Sequence, residues 1–320
     1  MKVNQTGQSE FILLGFPSSN ELQFLLFMVF LVFYILTVST NLFIIGILML
    51  DPILRKVPMY IFLNHFSFLE IWYITVTVPK MLFDFRAGNN VITYNGCIVQ
   101  IYFFFALGLT ELFFLAVMAY DRYLAICKPL RYHSIMTRTL CTQLAICSWV
   151  CGFLSSFFLI IPSSRLMFCR STTLNHFFCD FIPLLTISCN ETLVTDRVLY
   201  FMAWFIILYS FFLTAASYAY IIRTVFRLPS KIGRKKAFST CASHLTVVLT
   251  FYGTIIFMYI RPSTKYSSDI DKVVSVFYAV VIPLVNPLVY TLRNKDVQEA
   301  LRRTVRRNIF FSLCHFFLLI

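Results

Sequence analysis

The chain has 320 residues, of which 59% are hydrophobic and 13% are charged. A typical soluble domain carries about 25% charged residues, so a soluble fold has no interior large enough for this much apolar surface. The composition therefore favours a membrane protein. The formal net charge of +13 alone would also fit a protein that binds nucleic acid.

Seven apolar runs are each long enough to cross a membrane as a helix, which needs roughly 20 mostly apolar residues. The runs are continuously apolar, whereas strands of a membrane barrel are about 10 residues long and alternate in polarity. The sequence therefore predicts an all-α membrane protein, a bundle of seven transmembrane helices over residues 24–292. The predicted first to seventh membrane helices cover residues of about 24–50, 57–80, 96–121, 139–162, 196–224, 237–260 and 271–292.

The basic residues predict the orientation of the bundle. With residues 1–23 placed outside the cell, 18 of the 27 Lys and Arg fall on the cytoplasmic side, as the positive-inside rule requires. Anionic lipid of the inner leaflet and a cytoplasmic partner then explain the excess charge, and nucleic acid is not expected as a partner. We therefore expect a multi-pass protein of the plasma membrane with an extracellular N-terminus, where the sequon at Asn4 is the better glycosylation candidate and Asn190 the weaker.

Residues 293–320 form the predicted cytoplasmic tail. Val297, Leu301 and Val305 recur every four residues, which is typical of a short amphipathic helix that lies on the inner leaflet. We therefore expect an eighth, amphipathic helix after the bundle.

Four of the ten cysteines fall on the outer side in this orientation. Cys97 begins the third membrane helix, and Cys169, Cys179 and Cys189 lie in the loop of residues 163–196. An even number of cysteines in an oxidising compartment predicts two disulfides, and spacing alone leaves three pairings open. The loop is expected to form a disulfide-bonded lid over the outer mouth of the bundle.

The third membrane helix ends in the most informative motif, MAYDRYLAICKPL at Met118–Leu130. An acid and a base at the end of an apolar run are costly to place there without a use, although Asp-Arg alone would equally fit an interfacial pair without a role. Further motifs follow the same chain order: LLGF at Leu13–Phe16, PMYIFL at Pro58–Leu63, Ser217-Tyr218, KAFSTCASHL at Lys236–Leu245, and PLVNPLVYTLRN at Pro283–Asn294.

Together these motifs resemble the signature of the olfactory (odorant) receptor family of rhodopsin-like (class A) G-protein-coupled receptors, over nearly the whole chain. The resemblance implies a receptor that binds a volatile odorant and activates a stimulatory, olfactory-type heterotrimeric G protein, raising cyclic AMP. It implies the disulfides Cys97–Cys179 and Cys169–Cys189, and an Arg122 that Asp121 holds at rest and releases toward the G protein. The residues that it assigns to activation and coupling are Asp121, Arg122, Tyr123, Tyr218, His244, Asn286, Pro287 and Tyr290.

The ligand pocket is expected in the outer half of the bundle. Residues that share a helical face by i, i+3 and i+4 spacing give a mostly apolar lining, with hydroxyls at Tyr252 and Tyr259. Such a lining suits a small, largely apolar volatile anchored by one or two hydrogen bonds, although ordinary helix packing would produce the same stripes. The candidate ligand-binding residues are Phe104, Phe105, Gly108, Leu109, Met202, Ala203, Ile206, Ile207, Tyr252, Ile255, Ile256, Tyr259, Val276 and Ala279.

Two acids, Glu70 and Glu111, lie deep in the predicted bundle, and the resemblance places Asn286 near both. The group could hold a sodium ion or consist of protonated, hydrogen-bonded carboxyls. The family usually has Asp where Glu70 stands, so the geometry of an ion site stays open. An alternative function uses Glu70, Glu111 and His65 as an intramembrane proton or ion conductor, but the chain lacks the internal repeats of transporters.

Enzyme activity is not expected from the motifs. The sequence has neither a Ser-His-Asp order nor a His-Glu-x-x-His motif, so candidate catalytic residues are lacking. Apart from the sodium ion, no cofactor is expected.

Overall fold

The computed structural model describes residues 10–16, 19–163, 168, 172–188, 193–227, 229–259, 268–292 and 297–303. The membrane helices are Asn20–Leu50, Pro58–Ala87, Tyr94–Cys127, Arg138–Ser163, Leu193–Arg227, Lys231–Tyr259, and a seventh that runs from Ser268–Val276 through the π-helical turn Phe277–Val281 to Ile282–Leu292. Shorter helices are Leu54–Lys56, Pro129–Ile135, Phe181–Thr186 and residues 297–303.

The described helices have the length and surface of membrane spans. Six are long and apolar enough to cross a bilayer, and the sixth membrane helix contributes a shorter apolar stretch, His244–Tyr259. Large apolar side chains such as Phe24, Phe43, Phe205 and Leu249 point outward and are more than half exposed. Such a surface is stable against lipid tails rather than water.

The third membrane helix occupies the centre of the bundle, against the second, fourth, fifth and sixth. It lies very close to the fourth at Gly152, where an added Cβ would collide with Thr110 Oγ1 and lie 2.7 Å from the Thr110 backbone nitrogen. Only a residue without a side chain allows the two helices to lie this close together.

Pro287 removes one backbone hydrogen bond from the seventh membrane helix, and a side chain of the first helix replaces it. Pro287 has no N–H and cannot donate to the carbonyl of Pro283, four residues earlier. The Asn41 side-chain amide donates to that carbonyl at 3.3 Å. The two helices are therefore joined where the seventh is irregular, directly after its π-helical turn.

A small sheet covers one end of the bundle, which we call the disulfide end because Cys97 and Cys179 are bonded there, with Cα atoms 5.4 Å apart. Strand β1 (Glu10–Leu13) pairs antiparallel with β2 (Val91–Thr93) and parallel with β3 (Thr173–Leu174). The sequence analysis predicted no strand. β1 is four residues long, and its alternating pattern, with Phe11 and Leu13 buried, is too short to distinguish from a loop.

The opposite end, which we call the Arg122 end, carries the short eighth helix. Val297 and Ala300 are buried, and Arg303 donates to Asp51 Oδ2 through Nε at 3.2 Å and Nη2 at 2.8 Å. Partial burial raises the pKa of Asp51, but the hydrogen bond from Arg303 and those from two backbone N–H groups outweigh it, so the pKa lies below its usual value.

Several helices extend beyond the predicted apolar runs. The first begins at Asn20, where Ser19 Oγ accepts from the Leu22 N–H at 3.4 Å, and the sixth begins at Lys231 rather than 237. Arg and Lys are good helix formers, so a helix can continue beyond the end of its apolar run. Asn4, Cys169, Cys189, Asn190 and residues 304–320 lie outside the described residues.

Candidate functional site

A cavity lies at the disulfide end, under the loop helix Phe181–Thr186. The space that the centre of a water molecule can reach is about 90 Å³, whereas one water needs roughly 10–15 Å³ on this measure. The second to seventh membrane helices and the loop helix contribute its lining: Tyr73, Ile101, Phe104, Phe105, Gly108, Leu109, Leu112, Leu159, Ile160, Phe181, Ile182, Ile207, Ile255, Tyr259 and Tyr278. The cavity therefore suits a small, largely apolar molecule.

Aromatic contacts hold the walls of the cavity in place. The Phe104 ring lies 5.0 Å from Tyr73, 4.9 Å from Phe178 and 5.6 Å from Tyr278, between ring centroids. Phe105 packs edge-on against Tyr259 at 5.5 Å. Offset and edge-on contacts at these distances are favourable, so the third membrane helix is tied through its aromatic face to the second, sixth and seventh.

The loop that covers the cavity places a buried carboxylate, Asp180, behind two of its tyrosines. Tyr259 Oη donates to Asp180 Oδ1 at 3.3 Å and approaches Oδ2 at 3.4 Å, and Tyr278 Oη donates to Oδ2 at 3.4 Å. The Phe181 N–H donates to Oδ1 at 2.6 Å. Burial raises the pKa of Asp180 to about 6, although these three donors lower it.

Gln100 of the third membrane helix fixes the position of this loop. Its Oε1 accepts from the Cys179 N–H at 2.9 Å, and its Nε2 donates to the Val76 carbonyl at 2.9 Å. With the Cys97–Cys179 disulfide, these bonds hold Asp180 at the top of the cavity.

His176 anchors the same loop to the seventh membrane helix. The Phe178 N–H donates to its Nδ1 at 3.4 Å, so Nε2 carries the proton and donates to Ser275 Oγ at 3.1 Å. Burial, and to a lesser degree the charge of Lys272, lowers the pKa of His176 to about 3. The imidazole is therefore neutral and acts as a structural hydrogen-bonding group.

Halfway down the bundle, Asn286 joins the two deep acids. Its Nδ2 donates to Glu70 Oε1 at 2.7 Å and to Glu111 Oε1 at 2.9 Å. The other carboxyl oxygens, both Oε2 atoms, are buried and have no hydrogen-bond partner among the described residues, and the same holds for Ser67 Oγ. His65 stacks on Phe114 with ring centroids 6.1 Å apart, and no hydrogen bond joins it to either acid in the described part of the chain.

At the Arg122 end, Asp121 and Arg122 do not form the ion pair that the resemblance implies. Asp121 Oδ1 accepts from the Tyr132 hydroxyl at 2.8 Å, and Arg122 Nη2 contacts Met59 Sδ. Adjacent residues of a helix point about 100° apart, so the carboxylate faces the short helix Pro129–Ile135 and the guanidinium faces the second membrane helix. Between described residues, the ion pairs are Lys80–Asp84 and Asp51–Arg303.

The fifth and sixth membrane helices meet at this end through Tyr218 and His244. The Tyr218 hydroxyl and His244 Nδ1 are 2.6 Å apart, and the rings are stacked at 5.8 Å. Tyr123 lies between Tyr220 and Lys128, with its ring 5.7 Å from the Tyr220 ring and 5.6 Å from the Lys128 ammonium.

Comparison with known proteins decides the family. The family model "Olfactory receptor" matches residues 30–308. Olfactory receptor 287 of Rattus norvegicus is 51% identical over 306 residues, which is 95% of this chain and 97% of that protein. The human olfactory receptors 6Y1 and 6B1 are 48% and 49% identical, each over 94% of this chain and over 93% and 96% of their own lengths. The chain belongs to the olfactory receptor family.

Family membership confirms the seven-helix membrane bundle predicted from the sequence. It also confirms the predicted membership of the odorant receptor family of G-protein-coupled receptors. The members of this family are receptors and not enzymes.

Seven of the candidate ligand-binding residues line the cavity of this receptor: Phe104, Phe105, Gly108, Leu109, Ile207, Ile255 and Tyr259. Five others do not. Tyr252 donates instead to Ser210 Oγ at 2.9 Å, Ala279 is fully buried within the bundle, and Ile206, Ile256 and Val276 pack against the core from neighbouring faces. The side chains of Met202, Ala203 and Tyr290 lie outside the described residues.

The sequence analysis missed the other eight lining residues and Asp180. Tyr73 lies three residues after Glu70, on the same helical face, so this spacing was an available signal. Asp180, Phe181 and Ile182 follow Cys179 directly, and the implied disulfide already brought this segment to the top of the third membrane helix. The position of Tyr278 could not be predicted from helical spacing, because the π-helical turn changes the direction in which the side chains of the seventh helix point.

Proposed function

We propose that this receptor binds a small, largely apolar volatile in the cavity at the disulfide end and activates a stimulatory, olfactory-type heterotrimeric G protein at the Arg122 end, raising cyclic AMP. The cavity carries the proposal, because it is almost entirely apolar and is lined by the third, fifth and sixth membrane helices, which also come together near Arg122 through Tyr218 and His244.

The receptor lies in the plasma membrane with its N-terminus and disulfide end outside the cell. Two arguments support this orientation. A disulfide forms in the oxidising extracellular compartment, and Lys and Arg are concentrated in the connections at the Arg122 end, which the positive-inside rule places in the cytoplasm. An odorant then enters the cavity from outside, and Arg122 faces the G protein.

The mechanism is a shift between two populations of the bundle. An odorant that fills the cavity contacts the third, fifth and sixth membrane helices at once, and it favours a state in which the cytoplasmic ends of the fifth and sixth separate from the third. The Tyr218–His244 contact links the fifth helix to the sixth, so the two respond together.

Glu70 and Glu111 would hold a sodium ion in the resting receptor. Two carboxylates on one amide do not both stay charged without a cation. If protons alone neutralised the two carboxyls, the hydrogen on each Oε2 would have no acceptor among the described residues. Sodium is bound by oxygen ligands, and Glu70, Glu111 and Ser67 each have one oxygen without a hydrogen-bond partner among the described residues. The ion would supply positive charge that holds the second, third and seventh helices together.

Filling the cavity tests the ligand site. An added Cβ at Gly108 would lie 3.7 Å from the Tyr73 ring, an ordinary contact, so Gly108→Leu is expected to fold and to occupy the odorant's space. The cyclic AMP response to activating volatiles, normalised to receptor at the cell surface, should fall by about tenfold or more. Gly253→Leu is the matched control, because Gly253 is exposed and nothing lies within 4 Å of its added Cβ. Equal responses of both variants and the wild type would contradict the proposed site.

A further inference from the structure

Three tyrosines line the otherwise apolar cavity, Tyr73, Tyr259 and Tyr278, and two of them direct their hydroxyl hydrogens to Asp180. A tyrosine hydroxyl has one hydrogen to donate and two lone pairs that accept. The hydrogens of Tyr259 and Tyr278 point to Asp180, at 3.3 to 3.4 Å, and the two hydroxyl oxygens lie 3.3 Å from each other. Ser275 also forms a hydrogen bond with the Tyr278 hydroxyl, so Tyr259 is the hydroxyl that offers a free lone pair, and neither tyrosine offers a hydrogen.

The carboxylate behind the tyrosines makes them stronger acceptors. A hydrogen bond to an ionised group polarises the donor, so its oxygen gains electron density in a low-dielectric site. Asp180 is 1% exposed and is not part of the cavity lining. It acts through Tyr259 and Tyr278 and is therefore a positioning residue.

We propose that Asp180 sets the hydrogen-bond polarity of the cavity, so that the receptor selects odorants that donate a hydrogen bond, alcohols and phenols, over ketones and esters of the same carbon skeleton. An alcohol donates to a tyrosine oxygen, whereas a carbonyl oxygen meets lone pairs there. This inference rests on the proposed function, since it assumes that the odorant lies in this cavity.

The hydroxyl of Tyr73 completes the match to an alcohol. Tyr73 lines the same cavity from the second membrane helix, and its hydroxyl faces Gly108 at 3.7 Å from the position of an added Cβ. It can donate to the oxygen of an alcohol whose hydrogen goes to Tyr259. A protonated amine is a poorer occupant, because it would lose its hydration in an apolar cavity without direct contact to the carboxylate.

The test compares alcohol and ketone pairs of equal skeleton by their half-maximal concentrations for cyclic AMP, normalised to surface receptor. In the wild type, the alcohol should be at least about tenfold more potent. In Asp180→Asn, the amide can still accept from the Phe181 N–H but also donates, so a tyrosine hydrogen is released and the preference should disappear or reverse. Asp271→Asn removes a neighbouring buried carboxylate whose charge raises the pKa of Asp180. Asp180 then stays ionised at pH 7.4, so this variant should keep the preference.

A pH profile of the wild type gives a second measurement. The ionisable groups that face Asp180 are Tyr73 of the second helix, Tyr259 of the sixth, and Tyr278 and Asp271 of the seventh. Because burial raises the pKa of Asp180 to about 6, it is ionised at pH 7.4 and mostly protonated at pH 5.5. The protonated carboxyl donates its own hydrogen, so the alcohol preference of the wild type should fall at least about threefold at the lower pH, and that of Asp180→Asn should not change.

Each outcome decides the proposal. Equal potency of alcohols and ketones in the wild type, or an alcohol preference that survives in surface-expressed Asp180→Asn, would overturn the assignment to Asp180. If Asp180→Asn does not reach the surface, the wild-type comparison and its pH profile decide. A wild-type receptor that responds to no volatile would overturn the proposed function as well, whereas responses without an alcohol preference would overturn this inference alone.

Discussion

At the scale of single residues, polar groups in the interior of this receptor act through their partners. Asp180 acts through two tyrosines, Asn41 through the carbonyl that Pro287 leaves without a donor, and Asn286 through two acids. A buried polar group without a partner costs about 1–3 kcal/mol, so an ion that pairs with the Glu70 and Glu111 Oε2 atoms, which lack a hydrogen-bond partner among the described residues, would stabilise the bundle.

The sodium proposal gives a prediction at this scale. If Glu70 and Glu111 hold sodium, the thermal stability of the purified wild type should be higher in NaCl than in KCl by about 1–2 kcal/mol, because an ion that binds only the folded state stabilises it. In Glu70→Gln, which keeps the size of the side chain and removes its charge, the difference between the salts should disappear. Glu21→Gln, at an exposed position in the first turn of the first helix, should behave as the wild type. Equal stability of the wild type in both salts would assign the neutralising charge to protons.

At the scale of helices, the apolar runs predicted which segments cross the membrane but not how each helix is rotated. The stripe at Ile255 and Tyr259 faces the cavity, whereas Tyr252, one turn deeper on the same face, turns to Ser210 of the fifth helix. Periodicity places residues on a common face, and only the packing of neighbours decides what that face meets. The three strands depend on pairings between distant segments, which local patterns do not encode.

The contact between the third and fourth membrane helices gives a prediction at this scale. Gly152→Ala should lower the stability of the receptor by about 2–3 kcal/mol, because the new methyl group would meet the backbone nitrogen of Thr110 at 2.7 Å and the carbonyl oxygen of Ala106 at 2.9 Å. Helix backbones cannot move aside as a flexible side chain can.

Thermal unfolding of the purified receptor measures this change. Gly253→Ala serves as the control, since its methyl group would meet nothing within 4 Å and alanine favours a helix. A stability loss of the same size in both variants, or in neither, would contradict close packing at Gly152.

At the scale of the whole molecule, the sequence predicted the class of protein and its family, because hydrophobicity and the motifs around Asp121-Arg122 and Asn286-Pro287 are local features. Half of the ligand candidates were placed on the cavity by helical spacing. Asp180 was not found, since its role depends on the disulfide, on Gln100, and on tyrosines nearly 80 and 100 residues away in sequence. The features that the sequence did not predict are therefore those that depend on pairing between distant segments and on the position of the loop.

The central claim is that an odorant bound at the disulfide end acts on a G protein at the Arg122 end. The most direct measurement is odorant-evoked cyclic AMP in cells that express equal surface amounts of the wild type, Arg122→Ala, and Arg86→Ala, an exposed arginine at the disulfide end as the matched control. We predict that Arg122→Ala loses at least about 90% of the response, as expected for a charged group buried against a partner, and that Arg86→Ala keeps it. Responses of equal size from wild type and Arg122→Ala would contradict the account.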